Sequence, residues 1–398
     1  MYSLGMYLPR EISSRLEKEL ATHEAMVLTG MRQVGKTTLL KHLFNLVPSQ
    51  NKAFFDFENP LETKLFEETD FDQILSNLAS RGINKNERAY IFIDEIQNLP
   101  VISRVAKYLI DHYKTKFFLT GSSSFYIKNL FPESMAGRKI IFEIFPLTFK
   151  EFLLFKGAKK QPAPVKFADK AKKKNETENI RWRPFYEEYL TYGGFPAVVL
   201  ENNVERKQAL LAGIFRSYFE KDVKTLAQLT DRSKLRDLIL LLVPRMGNLI
   251  ELEKIVSELG STRATVYNYL NFLEETYFLT LLPRFSHSID RSRAGRRKLF
   301  FADTGLANFL GKVSEGQLLE NSVFQTLRSG HQLSFYHREN SEIDFIVNGE
   351  VGLEVKTTAS RRDILTLKQR SAPLKLKENY LVSLNWSGDK EVIVATDL

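Results

Sequence analysis

One nine-residue run has the composition and spacing of a phosphate-binding loop. Gly30 begins a GxxxxGK[ST] pattern that ends with Lys36 and Thr37. Such a loop surrounds a polyphosphate with backbone N–H groups, while its lysine reaches the β- and γ-phosphates and its hydroxyl joins the shell of a Mg²⁺ ion. The sequence therefore predicts a nucleotide and Mg²⁺ site. Its expected nucleotide-binding residues are Gly30, Met31, Arg32, Gln33, Val34, Gly35, Lys36, Thr37 and Thr38.

Two consecutive carboxylates follow a second apolar run. Residues 89–94 (AYIFID) predict a buried strand, and Asp94 and Glu95 stand at its C-terminal end. Asp94 would hold a Mg²⁺-bound water, so Thr37 and Asp94 are the expected metal residues. Glu95 is placed to orient and deprotonate an attacking water, which suits hydrolysis rather than binding alone. We therefore interpret Glu95 and Lys36 as catalytic.

Two further candidates come from the strands that follow. Residues 117–124 (FFLTGSSS) end a strand in small hydroxyl residues, and Thr120 or Ser122 could hydrogen-bond the γ-phosphate or the attacking water. A tight turn explains these residues equally well, and Ser122 is kept as a nucleotide-binding candidate. Arg138 is a candidate arginine finger, because a fixed guanidinium can neutralise the charge on a transferred phosphate. Such a role normally requires a neighbouring subunit.

A second set of chemically useful residues lies near the end of the chain. Residues 341–347 and 351–356 alternate in polarity around Asn348-Gly349, which predicts a hairpin. A two-residue loop would put Asp344 and Glu354 on opposite faces. A three-residue loop collects the apolar, odd-numbered residues on one buried face and both acids on the other. We favour the three-residue loop, because one face must bury the apolar set.

In that arrangement Asp344 and Glu354 can share Mg²⁺, and Lys356 can activate water at a scissile phosphate. Glu320, on a predicted amphipathic helix, could add a third carboxylate to the metal. This set resembles the D…ExK nuclease constellation, and the resemblance implies that Asp344, Glu354 and Lys356 are candidate catalytic residues. Two alternatives stay open: a solvated strand face of alternating charge, and a nuclease-like scaffold that binds without cutting.

The sequence around the phosphate-binding loop and the two acids predicts a parallel α/β core, which would position both. Five apolar runs alternate with helical patterns, as expected for a parallel sheet. These runs are residues 25–29, 52–57, 89–94, 116–120 and 139–144.

The middle of the chain predicts a helix–turn–helix. One short helix ends at Gly260, and Ser261 is expected to cap the next, with Val266, Leu270, Leu273 and Phe278 inward and Arg263, Tyr267, Asn268 and Asn271 outward. Two strands would flank the basic run 291–298 (RSRAGRRK), a plausible wing for DNA phosphates. The alternative is a winged helix used only for packing or self-association.

Several motifs together resemble one family. They are residues 7–10 (YLPR), GMRQVGKTT, IFIDEIQNLP, LTGSSSF, MAGRKIIFEIFPLTFKEFL and TYGGFP. The chain is similar in these to prokaryotic AAA-type P-loop ATPases, whose core is followed by a winged helix and a domain similar to PD-(D/E)xK nucleases. The resemblance implies ATP binding and hydrolysis. It also implies an α/β multidomain fold: a core over 1–155, a winged helix over 246–303 and the nuclease-like domain over 304–398. Between the core and the winged helix, helical spacing predicts a helical lid-like region over 181–245.

Composition sets the remaining expectations. Residues 156–180 are rich in lysine and poor in large apolar side chains, which predicts a mobile insertion or linker. The absence of cysteine excludes disulfides and thiolate metal sites. With no apolar run near the ~20 residues of a membrane span and no signal-peptide pattern, we expect a cytoplasmic protein without a membrane partner.

The 57 basic and 48 acidic residues are compatible with DNA as a partner. The leading hypothesis is a Mg²⁺-dependent ATPase that binds DNA through its winged helix. One alternative is a nucleotide-dependent switch whose C-terminal domain binds a protein partner, and another is an ATP-regulated DNA endonuclease. A homo-oligomer is compatible with each of these hypotheses.

Overall fold

The computed structural model describes residues 7–122, 137–160, 164–223, 231–286, 296–339 and 341–398. These residues form two compact units. The first contains the chain up to Phe145 together with Glu275–Tyr277, and the second contains Pro146–Glu274 and Phe278–Leu398.

The first unit is built on a five-stranded parallel sheet. Its strands are β1 (Ala25–Thr29), β2 (Lys52–Asp56), β3 (Tyr90–Asp94), β4 (Lys116–Gly121) and β5 (Lys139–Glu143), in the spatial order β2-β3-β4-β1-β5. Its helices are α1 (Ser13–Lys18), α2 (Lys36–Leu46), α3 (Pro60–Thr63), α4 (Phe71–Leu78) and α5 (Ile102–Tyr113). The predicted parallel sheet is confirmed, and each strand agrees with its predicted bounds to within one residue.

Burial of the central strands explains this sheet. Every residue of β1 and of β4 is buried, as expected for strands covered on both faces. Helix α5 buries Ile102, Val105 and Leu109 in the same core cluster. Because the strands are parallel, their carboxyl ends meet at one edge of the sheet, where ligands bind in folds of this type. That edge carries the loop after β1 and the residues that follow β3 and β4.

The second unit begins with helices and ends with a sheet. The helices are α6 (Phe149–Phe155), α7 (Phe167–Lys173), α8 (Glu176–Tyr192), α9 (Pro196–Leu200), α10 (Val204–Ser217), α11 (Arg232–Leu242), α12 (Leu252–Leu259), α13 (Arg263–Glu275), α14 (Thr304–Leu310), α15 (Glu315–Leu327) and α16 (Arg361–Ser371). Strands β6 (Leu279–Leu282) and β7 (Lys298–Phe301) pair antiparallel. The last five strands are β8 (Leu333–Arg338), β9 (Ser341–Val347), β10 (Val351–Lys356), β11 (Glu378–Ser383) and β12 (Val392–Val394), in the order β12-β11-β10-β9-β8.

The lysine-rich segment differs from the expected mobile linker. It contains α7, and three of its lysines donate to the last ten residues of the chain. Lys160 pairs with Asp397 at 2.6 Å, Lys170 donates to the Asp397 carbonyl at 2.9 Å, and Lys174 donates to the Val392 carbonyl at 2.6 Å. The lysine-rich composition predicted a linker. These lysines instead donate to backbone carbonyls near the end of the chain, and such long-range contacts cannot be read from sequence patterns. Within the described ranges, no helix has both the length and the apolar composition to cross a bilayer.

Candidate functional site

The predicted phosphate-binding loop joins β1 to α2, as its sequence context indicated. Gly30 has φ 145°, and a Cβ atom there would lie 2.1 Å from the carbonyl oxygen of Ile144. Gly35 has φ 97° and immediately precedes α2. Both positions therefore require glycine, one for a close backbone approach and both for a positive φ.

Two basic side chains bond to the backbone of this loop. The Lys36 ammonium is buried and donates to the carbonyls of Gly30 at 2.8 Å and Met31 at 2.9 Å. Arg10 donates to the carbonyls of Val34 at 3.0 Å and Phe145 at 2.8 Å. Arg10 had no assigned role in the sequence, since its partners lie 24 and 135 residues away.

The end of β3 meets the start of α2. The Thr37 hydroxyl donates to the Asp94 carboxylate at 2.7 Å, and the Thr120 hydroxyl donates to the other oxygen of Asp94. Thr120 also accepts the backbone N–H of Glu95 at 3.1 Å. The structure therefore brings together Thr37 and Asp94, the two residues expected to hold Mg²⁺. A hydroxyl and a carboxylate are the oxygen donors that this ion prefers, so the pair fits it.

Glu95 has a strained backbone and a restrained side chain. Its φ of 56° and ψ of 52° are left-handed, an unfavourable conformation for a residue with a Cβ atom. Its carboxylate lies 3.7 Å from the Arg32 guanidinium and accepts a hydrogen bond from Gln97. Gln97 also donates to the Ser122 hydroxyl at 3.3 Å, which brings Ser122 into the same group. Gln97 was not predicted, and its only sequence signal is its place two residues after Glu95.

Arg138 lies away from this group. It directly precedes β5, its carbonyl accepts the N–H of Ala25, and its guanidinium pairs with Asp111 at 2.7 Å. Since β1 and β5 are parallel and Ala25 is opposite Lys139, Arg138 is at the sheet edge opposite the loop. The separation is roughly 16 Å for five residues of strand. Arg138 is therefore not part of the phosphate site of its own chain.

The helix–turn–helix region contains the predicted elements in the predicted order: α12, α13, β6 and β7. The inward set (Val266, Leu270, Leu273 and Phe278) is buried, whereas Arg263, Tyr267 and Asn268 are exposed. The predicted cap at Ser261 is corrected to Thr262, whose hydroxyl accepts the N–H of Thr265 at 3.1 Å.

Two exposed arginines of this region are ion-paired. Arg263 lies 3.4 Å from Glu253, and Arg296 lies 3.6 Å from Glu251. Together with Tyr267 they line a groove of about 1120 Å³. Residues 291–295, most of the predicted basic wing at 291–298, lie outside the described residues.

The β9–β10 hairpin has the predicted three-residue loop. Val347 pairs with Val351 and Phe345 with Leu353, which sets Asp344 and Glu354 in register. The strict odd–even sorting of faces is wrong, because Ile343 and Ile346 pack in one cluster with α16. A register shift between β8 and β9 accounts for this change of face. Both faces of the hairpin are thus covered, and Asp344 and Glu354 are not on a solvated strand surface.

Three carboxylates surround the ammonium of Lys298, the first residue of β7. Its Nζ atom lies 2.7 Å from Glu320, 2.7 Å from Glu342 and 2.9 Å from Asp344. Its side chain is only 1% exposed. Lys298 ends the basic run that predicted a DNA-contacting wing, so for this residue the prediction is wrong. The three acids form what we call the carboxylate cluster.

The cluster shifts the pKa of each buried member. Burial alone would lower the pKa of Lys298, but Asp344, Glu320 and Glu342 raise it well above its usual value. Burial and the charge of Asp344 raise the pKa of Glu320 to about 8, against the opposing effect of Lys298. Burial works against ionisation of Asp344, yet Lys298 lowers its pKa below the usual value. Lys298 and Asp344 therefore each favour the ionised form of the other.

Glu354 has different partners. It lies 2.9 Å from Lys356 and 3.2 Å from Arg370, which also donates to the Glu342 carbonyl at 2.9 Å. Burial and Asp344 raise the pKa of Glu354 to about 7. Its Oε2 atom is buried and makes no hydrogen bond within the described part of the chain. Arg370 carried no sequence signal beyond its positive charge.

The predicted metal set of Glu320, Asp344 and Glu354 does not fit a divalent cation in this arrangement. Glu320 and Asp344 do converge, but on the Lys298 ammonium. Over the residues with described positions, no group of three or more His, Asp or Glu side chains is arranged to hold a metal ion. The hairpin therefore has the predicted register, but Glu320 and Asp344 converge on an ammonium in place of the expected metal ion.

Comparisons with known proteins find a family match over the parallel sheet of the first unit. Residues 22–153 match a family model described as an AAA domain, and residues 183–317 match a domain of unknown function (DUF8612). An uncharacterized protein from Methanocaldococcus jannaschii is 28% identical over 405 residues, which cover 96% of this chain and 87% of the relative. An uncharacterized protein from Haemophilus influenzae is 28% identical over 375 residues, covering 89% and 86%.

Among solved structures, a Walker-type ATPase from Pyrococcus abyssi aligns with 76% of this chain and 96% of its own, at 14% identity and a TM-score of 0.47. The family match, the parallel sheet and the loop geometry lead to the same assignment. Residues 22–153 are similar to AAA domains, and their parallel sheet and glycine-dependent loop have the form of a P-loop nucleotide-binding fold.

Proposed function

We propose that the AAA domain binds ATP with Mg²⁺ and hydrolyses it. The observation that carries the proposal is the 2.7 Å contact of Thr37 with Asp94, with Glu95 next along the chain. Thr37 and Asp94 would hold Mg²⁺, which when bound supplies positive charge to the phosphates. Lys36 would exchange its two carbonyl contacts for phosphate oxygens.

Glu95 would accept the proton of the attacking water. Arg32 and Gln97 support this role, because they restrain the carboxylate from two sides. Ser122 would orient the water or the terminal phosphate through its hydroxyl, because the Thr120 hydroxyl donates to Asp94. Arg138 could act only from a neighbouring copy of the chain, so that role requires an assembly.

ATP hydrolysis by the wild type and by Lys36→Ala tests the proposal. We expect Lys36→Ala to abolish both binding of a fluorescent ATP analogue and phosphate release. Lys107→Ala, which changes a lysine on α5, is the matched control and should behave as wild type. Tight analogue binding and full turnover by Lys36→Ala would remove the proposal.

Arg138→Ala tests the assembly. If Arg138 acts in trans, specific activity rises with wild-type concentration, and Arg138→Ala loses that rise while still binding nucleotide. Activity that is independent of both concentration and Arg138 would exclude the arginine-finger role.

We also infer that α13 contacts DNA. The exposed Arg263, Tyr267 and Asn268 support this, although Arg263 would have to exchange Glu253 for a phosphate. Fluorescence anisotropy with a labelled duplex should show weaker binding by Arg263→Ala, and a slope of log K against log salt reduced by about 1. Arg338→Ala, an exposed arginine on β8, is the control.

The same duplex distinguishes the alternatives. If a nonhydrolysable ATP analogue leaves DNA affinity unchanged, nucleotide state and DNA binding are not coupled. If no duplex binds at all, the switch that recognises a protein partner is favoured. Mg²⁺-dependent cleavage that Lys356→Ala abolishes would establish an endonuclease.

A further inference from the structure

We infer that Lys298 is a built-in cation that fills the carboxylate cluster, so that the wild-type chain binds no divalent metal there. The inference goes beyond ATP hydrolysis and does not depend on it. It concerns a residue from outside the D…ExK pattern, which reaches the cluster from β7.

The first support is the contact of one ammonium with three carboxylates. A lysine ammonium has three N–H donors and no acceptor. Lys298 faces three carboxylates at 2.7–2.9 Å: Glu320 from α15, and Glu342 and Asp344 from β9. Two of these contacts are hydrogen bonds, to Glu342 and to Asp344, and the contact with Glu320 is an ion pair. The ammonium therefore fills the space in which the three acids converge.

The second support is the rigidity of the backbone that carries Lys298. Strand β7 pairs with β6, with Lys298 opposite Leu282. On its other side, the N–H of Ile250 donates to the Arg297 carbonyl at 2.9 Å, and the N–H of Leu299 donates to the Asn248 carbonyl at 3.0 Å. Both neighbours of Lys298 in the chain are thus hydrogen-bonded to residues 248–250. The backbone that carries the Lys298 side chain is therefore held in place by hydrogen bonds on both sides.

The third support is charge. Four buried or half-buried carboxylates (Glu320, Glu342, Asp344 and Glu354) face three cations (Lys298, Lys356 and Arg370). The protein therefore neutralises this region almost completely with its own side chains. A divalent cation could enter only beside a buried ammonium, which repels it, or after Lys298 had left.

This arrangement gives the residues of the D…ExK pattern a structural role instead of a metal-binding one. With Lys298 in place, Lys356 has no metal-bound phosphate or water to act on. The carboxylates hold β7 against α15 and β9, and a divalent site arises only when Lys298 is removed.

Manganese binding to the nucleotide-free full chain tests the inference, with free Mn²⁺ followed by electron paramagnetic resonance. We expect no Asp344-dependent binding in the wild type, hence equal binding by wild type and Asp344→Asn. Lys298→Met should gain one Mn²⁺ site per chain, and Lys298→Met with Asp344→Asn should lose it again. Lys377→Met, which removes an exposed lysine paired with Glu350, should gain nothing.

Two results would overturn the inference: Mn²⁺ bound by the wild type and lost in Asp344→Asn, or a folded Lys298→Met that binds none. If Lys298→Met does not fold, the test compares Mn²⁺ binding by the wild type with Mn²⁺ binding by Glu320→Gln. In that variant Lys298 keeps two of its carboxylate partners. Equal Mn²⁺ binding by those two proteins supports the inference, and a site lost in Glu320→Gln contradicts it. The nucleotide-free measurement leaves the ATPase proposal untouched by either outcome.

Discussion

Asp94 and Asp344 are strand carboxylates with little exposure to solvent, but their hydrogen-bond donors differ. Asp94 accepts hydrogen bonds from two neutral hydroxyls, those of Thr37 and Thr120. Asp344 accepts a backbone N–H from Val355 at 2.8 Å and pairs with the Lys298 ammonium. Neutral donors position Asp94 and leave its negative charge for a ligand, whereas Lys298 cancels the charge of Asp344.

The two buried lysines show the same contrast. Lys36 is 5% exposed and contacts two neutral carbonyls, so its positive charge is not cancelled by those partners. Lys298 contacts three carboxylates. A ligand site and a structural ion cluster can therefore be built from the same residue types, and the nearest partner decides between them.

The largest expected effect is on the rate of ATP hydrolysis, at Glu95. Glu95→Gln should lower kcat by about 10² to 10⁴-fold, the usual contribution of a general base. ATP affinity should stay near that of the wild type, because the loop is unchanged. Steady-state phosphate release and analogue binding measure the two quantities, with the exposed Glu67→Gln as control. Undiminished turnover would assign the base to another residue.

At the cluster, Lys298→Met should lower the free energy of unfolding by about 3–5 kcal/mol, because it leaves buried carboxylates without their cation. Both tryptophans, Trp182 and Trp386, belong to the second unit, so their fluorescence during urea unfolding reports on that unit. The exposed-lysine control Lys377→Met should stay within about 0.5 kcal/mol of wild type. Equal stability of all three proteins would mean that the cluster is not held by Lys298.

The raised pKa of Glu320 predicts a pH dependence of the second unit. Its pKa rises from 4.5 to about 8 on folding, so between these values the folded state holds a proton that the unfolded state has lost. Stability should therefore fall as pH increases from about 5 to 8, by up to about 1.4 kcal/mol per pH unit for each such proton. Glu320→Gln should flatten the tryptophan-detected profile over this interval. A profile identical to that of the wild type would contradict the assigned shift.

The smallest effect is expected at Lys356. Its side chain is 38% exposed, and Arg370 still pairs with Glu354 after it is removed. Lys356→Met should therefore lower unfolding stability by less than about 1 kcal/mol. A loss as large as that of Lys298→Met would show that the two lysines share one role.

The first unit could be predicted well because its signals are local. The loop, its strand and its helix are contiguous, and the apolar runs mark strands that are buried on both faces. The pairing of Asp94 with Thr37 followed from the rule that carboxyl ends of parallel strands meet at one edge. Gln97 and Arg10 escaped prediction because nothing in their local sequence indicates what they contact.

The sequence by itself determined the phosphate-binding loop, the acids after β3 and the register of the β9–β10 hairpin. These depend on short-range spacing and on the need to bury apolar residues. Only the tertiary structure decided which charged side chains are buried against each other. Lys298 ends a basic run that composition assigns to a solvated or DNA-bound wing, yet it is buried against acids 22 to 46 residues further along the chain. Formal charge is the same in water and in a buried ion cluster, so only the fold distinguishes the two.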